Sequence, residues 1–263
     1  NIGQYLNNQG LSNAHAFINK QNYIQVKWDF EPKLVTIIIL TNGCNNFVEN
    51  CINSILTKTK YNNFEILIVN NGDKRPEEFI YFNELFSDAR IKFLNYEGEF
   101  NFSRLNNLAS KYSNGEYLLF LNNDTEVISE DWLDEMTMWA SWEKIGAVGP
   151  ILLKKDQTIQ HAGVILGLGG FAGHIFSGIG EKEAKGLFGD VNWYRNYLAI
   201  TAACMMIRKK LFIEIGMFNE EFLLNGNDVE LGIRLNRAGY RIVIDPFIKL
   251  FHIESSTHKG KTP

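Results

Sequence analysis

The chain is short of cysteine, of net charge and of long apolar runs, and each shortage removes a class of protein. Only three cysteines occur in 263 residues, Cys44, Cys51 and Cys204, and none has a metal-type spacing. They read as free thiols in a reducing compartment. The formal net charge is −4, from 26 basic and 30 acidic residues, so no basic excess marks a nucleic-acid partner. No apolar run is long enough to span a bilayer, and the opening residues do not read as a signal peptide. A dinucleotide site wants G-x-G-x-x-G after the first strand, whereas Thr41–Asn46 carries one glycine, so an NAD-type oxidoreductase is disfavoured. No Walker A lysine motif occurs, which excludes a P-loop, and there are no internal repeats.

What remains is a chain 45% hydrophobic, with ample material for one large domain or two small ones. Residues 1–33 are Asn- and Gln-rich and read as an N-terminal arm, partly helical, without nameable chemistry. Residues 34–263 read as a single domain. The chain opens on Asn1 and ends on Gly260-Lys261-Thr262-Pro263, ends that suit a domain excised from a longer chain. Short apolar runs at Leu34–Leu40, Phe64–Val69, Ile91–Leu94 and Gly115–Asp124 predict strands, the fullest of them buried on both faces. Helical spacing predicts helices from about Phe47, over Pro76–Phe86, over Phe102–Tyr112 and from about Ser129. This alternation is the mark of a doubly wound α/β sheet. Later come predicted strands at Ala147–Leu153 and Gln160–Leu166, then a glycine-dense stretch, Gly167–Gly180, which reads as a mobile loop near a substrate. An apolar segment Ala199–Arg208, a short helix Lys209–Ile215 and a helix from Asn225-Gly226-Asn227-Asp228 to Ala238 follow. Two last strands are expected, Arg241–Ile244 and Ile248–Ile253.

Three strand ends carry polar loops: Thr41–Asn46, Asn70–Asp73 and Asn122-Asn123-Asp124. Ligands of open α/β sheets lie beyond the carboxyl ends of the strands, and three such loops at one edge make a nucleotide-sized crevice. Asp124 suits a hard divalent cation, which takes oxygen ligands from one or two carboxylates and substrate phosphates. A polar turn that merely ends the strand is the plainer alternative.

The motifs, taken in order, resemble those of family 2 glycosyltransferases with the GT-A fold. They are Asn101-Phe102-Ser103 with Asn107; Gly115-Glu116-Tyr117 through Asn122-Asn123-Asp124-Thr125-Glu126-Val127; Gln160-His161-Ala162-Gly163-Val164; Thr201-Ala202-Ala203-Cys204; Asn227-Asp228-Val229-Glu230-Leu231 with Arg234-Leu235; and Gly239-Tyr240-Arg241 with His252-x-Glu254-Ser255. More narrowly the chain resembles bacterial transferases, rhamnosyltransferases among them, that build O-antigens and other surface polysaccharides. The resemblance implies a Rossmann-like, mixed but mostly parallel sheet flanked by helices. It implies inverting transfer from a nucleotide-diphosphate sugar to a hydroxyl of a glycan or lipid-linked glycan, in the cytoplasm at the inner face of the membrane.

The resemblance also implies roles. Asp124 would hold Mn²⁺ or Mg²⁺ on the donor diphosphate, and His252 would approach the metal or the diphosphate. Thr41 and Asn70 would touch the nucleobase and ribose, and Asn42, Asn71, Asn101, Asn107, Asn122 and Asn123 would complete the donor site. Asp228 would be the catalytic base, with Asn227 beside it on the acceptor. The family usually reads Pro-Thr-Tyr-Asn after the first strand, Asp at position 70 and Asp at position 122. Here a stacking Tyr and two carboxylates are missing, so a loosely held metal is expected. These departures motivate a rival, a non-catalytic nucleotide-sugar or glycan-binding domain of a larger glycosyltransferase.

Other readings of the same residues stay open. Asp228 sits at a helix start, where capping and dipole effects favour acids, and Asn227-x-x-Glu230 is a plausible capping box. His252 alone reads as readily as a hydrogen-bonded structural histidine. His161 and His174 flank the glycine stretch and read as packing or capping groups. Trp193, Tyr194 and Tyr197 suit an acceptor platform or the core. Trp132, Trp139 and Trp142 recur at helical spacing and read as core.

Overall fold

The computed structural model describes residues 1–43, 45–72, 87–186 and 189–253; the helix expected over 76–86, together with Cys44, Asp73 and the tail from Glu254, lies outside them. The sheet grows from the apolar runs. Strands β3 (Val35–Thr41), β4 (Phe64–Asn70), β6 (Tyr117–Asn122) and β8 (Ile145–Leu153) are buried along nearly their whole length, as strands covered on both faces must be. With β5 (Ile91–Asn95), β12 (Arg195–Tyr197), β13 (Cys204–Arg208) and β14 (Arg241–His252) they form one sheet in the order β12-β14-β8-β13-β6-β3-β4-β5. Strand β7 (Thr125–Val127) pairs with β14, and β9 (Ile159–His161) with β8. Strand β3 runs parallel to β4 and β6, β4 to β5, and β8 to β14. Strand β13 is antiparallel to both β6 and β8, so the alternating half and the later half join through one reversed strand.

The period of two along β3 sends Ile37 and Ile39 to one apolar layer and Ile38 to the other. The first layer holds α2 (Asn46–Lys58), α4 (Trp132–Ser141) and the N-terminal residues. The second holds α3 (Phe102–Tyr112), α5 (Lys209–Glu214) and α6 (Asn227–Arg237). Trp132, Trp139 and Trp142 are core, as expected. Helices α2 and α3 begin where side-chain amides satisfy their first backbone donors: Asn45 accepts from Phe47 and Val48, and Asn101 from Arg104. Among the described residues no helix is long and apolar enough to cross a membrane.

Three expectations need correcting. The N-terminal residues form a helix, α1 (Ile2–Asn8), but also a hairpin, β1 (His15–Ile18) with β2 (Ile24–Lys27). The asparagines there are turn chemistry: Asn19 accepts from the Gln21 and Tyr23 amides, and Asn22 adopts φ +66°. The hairpin is followed by Trp28, which packs edge-on against Trp139 with ring centroids 4.8 Å apart. The two last strands are one: β14 runs unbroken through Asp245 and Pro246, with a register shift against β8 between Asp245 and Lys249. A proline lacks the ladder donor, and an irregularity there accommodates it. Conversely, Gln160–Leu166 is two strands, β9 and β10 (Val164–Leu166). They break at Gly163, whose φ is +119° and where a Cβ would strike the Tyr197 ring. Strand β10 returns as β11 (Ala172–His174) through the glycine-rich turn.

Candidate active site

The carboxyl ends of β3, β4 and β6 lie side by side, as the parallel register demands. Their polar ends are tied to one another. Asn123 donates to Thr41 Oγ1 (3.4 Å), and Thr41 Oγ1 donates to the Gly43 carbonyl (2.7 Å). Asn70 Oδ1 accepts from the Gly43 and Gly72 amides at 3.2 and 3.0 Å. Asn71 donates to the Tyr96 and Gly98 carbonyls at 3.3 and 2.9 Å. Thr41, Asn70 and Asn71 therefore shape these loops from within, while the Asn42 side chain stands exposed beside them.

Two donor assignments do not survive. Asn101 is 2% exposed, and its amide caps α3 and donates to the Glu220 carbonyl at 2.8 Å. Asn107 is 4% exposed and both donates to and accepts from the backbone of Phe218, at 2.9 and 3.0 Å. Both amides are engaged by the protein's own backbone. Ser103 joins them, donating to the Phe222 carbonyl at 2.8 Å. Together the three hold segment 218–223, which leads into Asp228.

At the end of β6, Asp124 and His252 meet. His252 ends β14 opposite Thr125 of β7, and its Nε2 lies 3.1 Å from Asp124 Oδ1 and 3.2 Å from Asn122 Nδ2. Its Nδ1 lies 2.9 Å from Gln160 Oε1. A carbonyl oxygen only accepts, so His252 Nδ1–H donates to Gln160. Nε2 turns toward a carboxylate oxygen. Two electron-pair donors this close suit a cation between or beside them, with a carbonyl orienting the histidine from behind, as metal-bound histidines are usually held. Among the described residues no cluster of three His, Cys, Asp or Glu groups occurs. A divalent ion here would take most of its ligands from diphosphate and water, the habit of hard cations at phosphate sites. The residues fit such an ion. Gln160 was not among the sequence-predicted site residues; its only signal was its place before His161.

Asp228 opens α6, but the capping box does not form. Gly226 holds the N-cap position at φ +86°, and Glu230 instead pairs with Arg234 at 2.7 Å. Asp228 Oδ2 accepts from the Ala202 amide (3.3 Å) and Oδ1 from the Val229 amide (2.8 Å). Burial raises its pKa above the ordinary aspartate value, against the pull of those two amides and of His174. A half-buried carboxylate with a raised pKa is a better base than a solvated one. Asn227, expected at the acceptor, is 3% exposed. Its amide donates to Ser103 and accepts from the Asp228 amide, so it orders the helix start rather than meeting a ligand.

Asp228 and the strand end that precedes Asp124 both bond to one short segment, Thr201-Ala202-Ala203. Its last residue accepts from the Asn122 amide (2.9 Å), beside Asp124, while the Ala202 amide holds Asp228. The Thr201 amide, in turn, donates to His161 Nε2 at 3.3 Å, and Gln160, next in sequence, holds His252. The site is therefore bridged twice, by 201–203 and by β9. Of the three aromatics offered as a platform, only Trp193 is exposed, with the Arg195 guanidinium over its ring at 5.6 Å. Tyr194 packs on Trp139 and Phe247, and Tyr197 lies against Gly163.

Residues 36–216 match the family model "Glycosyl transferase family 2". The chain is 42% identical over 229 residues, 87% of its length, to the O-antigen biosynthesis protein RfbC of Myxococcus xanthus, of which it spans only 18%. It is 25% identical over 134 residues, 46% of its length, to 41% of the N-acetylglucosaminyl-diphospho-decaprenol L-rhamnosyltransferase of Mycobacterium tuberculosis. Its fold matches that of GalNAc-T7, solved with UDP, GalNAc and Mn²⁺, with a TM-score of 0.72 at 14% identity, over 95% of this chain and 48% of that one.

Proposed function

Since the chain belongs to glycosyl transferase family 2, we propose that it is the catalytic domain of an inverting, metal-dependent glycosyltransferase. It moves a sugar from a nucleotide-diphosphate sugar to a hydroxyl of a glycan or lipid-linked glycan during bacterial surface-polysaccharide synthesis, at the cytoplasmic face of the membrane. The observation that carries the reading is that Asp228 and the end of β6, the strand that leads into the Asp124–His252 pair, both bond to residues 201–203.

The donor lies across the ends of β3, β4 and β6, with its base against the loops shaped by Thr41, Asn42, Asn70 and Asn71. Asn122, Asn123, Asp124 and His252 sit at the diphosphate end. A divalent ion held by Asp124 and His252 would neutralise the leaving diphosphate without proton transfer. Asp228 takes the proton of the incoming hydroxyl on the opposite face of the sugar. One base and one in-line displacement invert the anomeric centre. Trp193 offers an apolar ring to the acceptor.

Asp228→Asn tests this, in an assay that follows nucleoside diphosphate release with and without acceptor glycosides. Melting temperature is measured with UDP-, dTDP- and GDP-sugars with and without Mn²⁺, since a ligand of the folded state raises it. The variant keeps the donor-induced shift and loses transfer by about 10²–10⁴-fold, the usual contribution of a general base. Transfer at the wild-type rate would remove Asp228 from the role. The substitution of Asn122 for an acid favours the second reading, a binding domain without catalysis. Metal-dependent hydrolysis of a donor by the wild type excludes it.

A further inference from the structure

Strand β12 closes one edge of the sheet, and its side chains alternate between two faces. Tyr194 turns inward onto Trp139 and Phe247. Trp193 and Arg195 instead meet each other, the guanidinium 5.6 Å from the centre of the indole ring. Trp193 is exposed and Arg195 half-buried. Only a glycine at position 189 admits both groups: a Cβ there would strike Arg195 Nη2 and come within 2.7 Å of the Trp193 ring. Arg195 Nε is buried and, among the described residues, has no hydrogen-bond partner, and none of their carboxylates forms an ion pair with the guanidinium. The nearest acid in sequence, Asp190, is taken: Oδ2 meets Tyr23 and Lys185 at 3.0 and 3.1 Å, and Oδ1 accepts from the Asn192 amide at 2.9 Å. Arg195 is therefore a cation that has lost part of its water without gaining a counter-ion. Such a group holds an anion more strongly than a fully solvated one, because part of the desolvation is already met and the local dielectric is lower.

We propose, resting on the glycosyltransferase reading, that Trp193 and Arg195 form a subsite for an anionic acceptor. The apolar face of a sugar lies on the indole, and a carboxylate or phosphate oxygen of the same molecule accepts from the guanidinium. The placement suits this. Two positions along β12, Tyr197 shares the face of Arg195 and lies against Gly163, where β9 gives way to β10. Strand β9 in turn bonds to the site, through Gln160 to His252 and through His161 to Thr201. Thr201 is six positions beyond Arg195, a span of at most about 20 Å. An acceptor glycan a few sugar rings long therefore reaches both Arg195 and the cleft at Asp228. The anion is either the carboxylate of a uronic acid within the glycan or the phosphate that joins the glycan to a carrier. Both present the planar or tetrahedral oxygens that a guanidinium fork matches.

Isothermal titration without donor or metal tests the subsite apart from transfer. The probes are linear trigalacturonate, its fully methyl-esterified form and inorganic pyrophosphate. The wild type binds trigalacturonate about 10-fold more tightly than the ester, the effect of one charge-assisted hydrogen bond, and added salt narrows the gap. Arg195→Gln abolishes the difference, and Trp193→Ala weakens the binding of both forms. Circular dichroism melting confirms that each variant folds. Arg195→Lys, which keeps the charge but not the fork, narrows the gap and carries the test if the glutamine variant unfolds. Pyrophosphate that binds the wild type and is lost from Arg195→Gln, with no preference for acid over ester, assigns the anion to phosphate. If neither anion binds, or neither loses affinity when Arg195 is replaced, the subsite is overturned. Transfer is measured separately. A chain that holds the acid through Arg195 but transfers sugar to no acceptor keeps the subsite and loses the glycosyltransferase reading.

Discussion

Replacing Gln160 with leucine tests the metal end of the cleft. Gln160 Oε1 is the acceptor that keeps the His252 proton on Nδ1, at 2.9 Å, and His252 is 8% exposed. Leucine removes that acceptor while keeping much of the volume. With that acceptor gone, a proton on Nε2 is favoured, where Asp124 Oδ1 waits 3.1 Å away. A proton now stands where a cation would bind. Loss of such an orienting partner typically weakens metal affinity 10- to 100-fold, or about 1.4–2.7 kcal/mol. Mn²⁺ binding in the presence of UDP is measured by the electron paramagnetic resonance of the free ion, with circular dichroism melting to confirm the fold. Gln160→Glu, which keeps an acceptor and adds charge, binds Mn²⁺ at least as well as the wild type. If the leucine variant folds and binds Mn²⁺ with wild-type affinity, Gln160 does not set the histidine, and the pairing of His252 with Asp124 needs another explanation.

Two further outcomes follow from buried groups. Asn107→Ala removes three hydrogen bonds that tie segment 218–220 to α3. At about 0.5–1.5 kcal/mol each, chemical denaturation should show a loss of about 2–4 kcal/mol, and a loss within error of zero would mean the segment is held elsewhere. Asp245 is wholly buried, accepts from Trp139 and Phe247, and has its pKa pushed up to about 8, by burial first and then by Glu135. A raised folded-state pKa contributes stability that is full below the unfolded value near 4 and is lost as pH rises through 8. Melting temperature should therefore fall between pH 4 and 8, and Asp245→Asn should flatten that fall; an equally steep decline in the variant would clear Asp245.

Much of the frame was legible because it depends on local pattern. Five apolar residues after Gly115 and before Asn122 leave little choice but a strand buried on both faces, and β6 is that strand. The helix over Phe102–Tyr112 has the predicted bounds, since Asn101 caps it and its apolar face repeats at helical spacing. The reversed strand β13 was not legible: an apolar run does not state its direction. Nor was the break at Gly163, which turns on the ring of Tyr197, 34 positions later. The asparagines misled in one consistent way. At Asn101, Asn107 and Asn227 the side chain that could meet a sugar meets the backbone instead, and a residue type does not reveal which partner it finds.

The amino-acid order by itself determined the alternating strands and helices, the polar loops at their carboxyl ends and the run of motifs that marks the family. Those are properties of short segments, read from spacing and side-chain chemistry. Only the tertiary structure decided which polar groups meet. Gln160 behind His252, Thr201 behind His161 and Ala202 behind Asp228 join residues 26 to 92 positions apart. Hydrogen bonds between such partners depend on how β9, β14 and α6 pack around residues 201–203, and no local pattern carries that information.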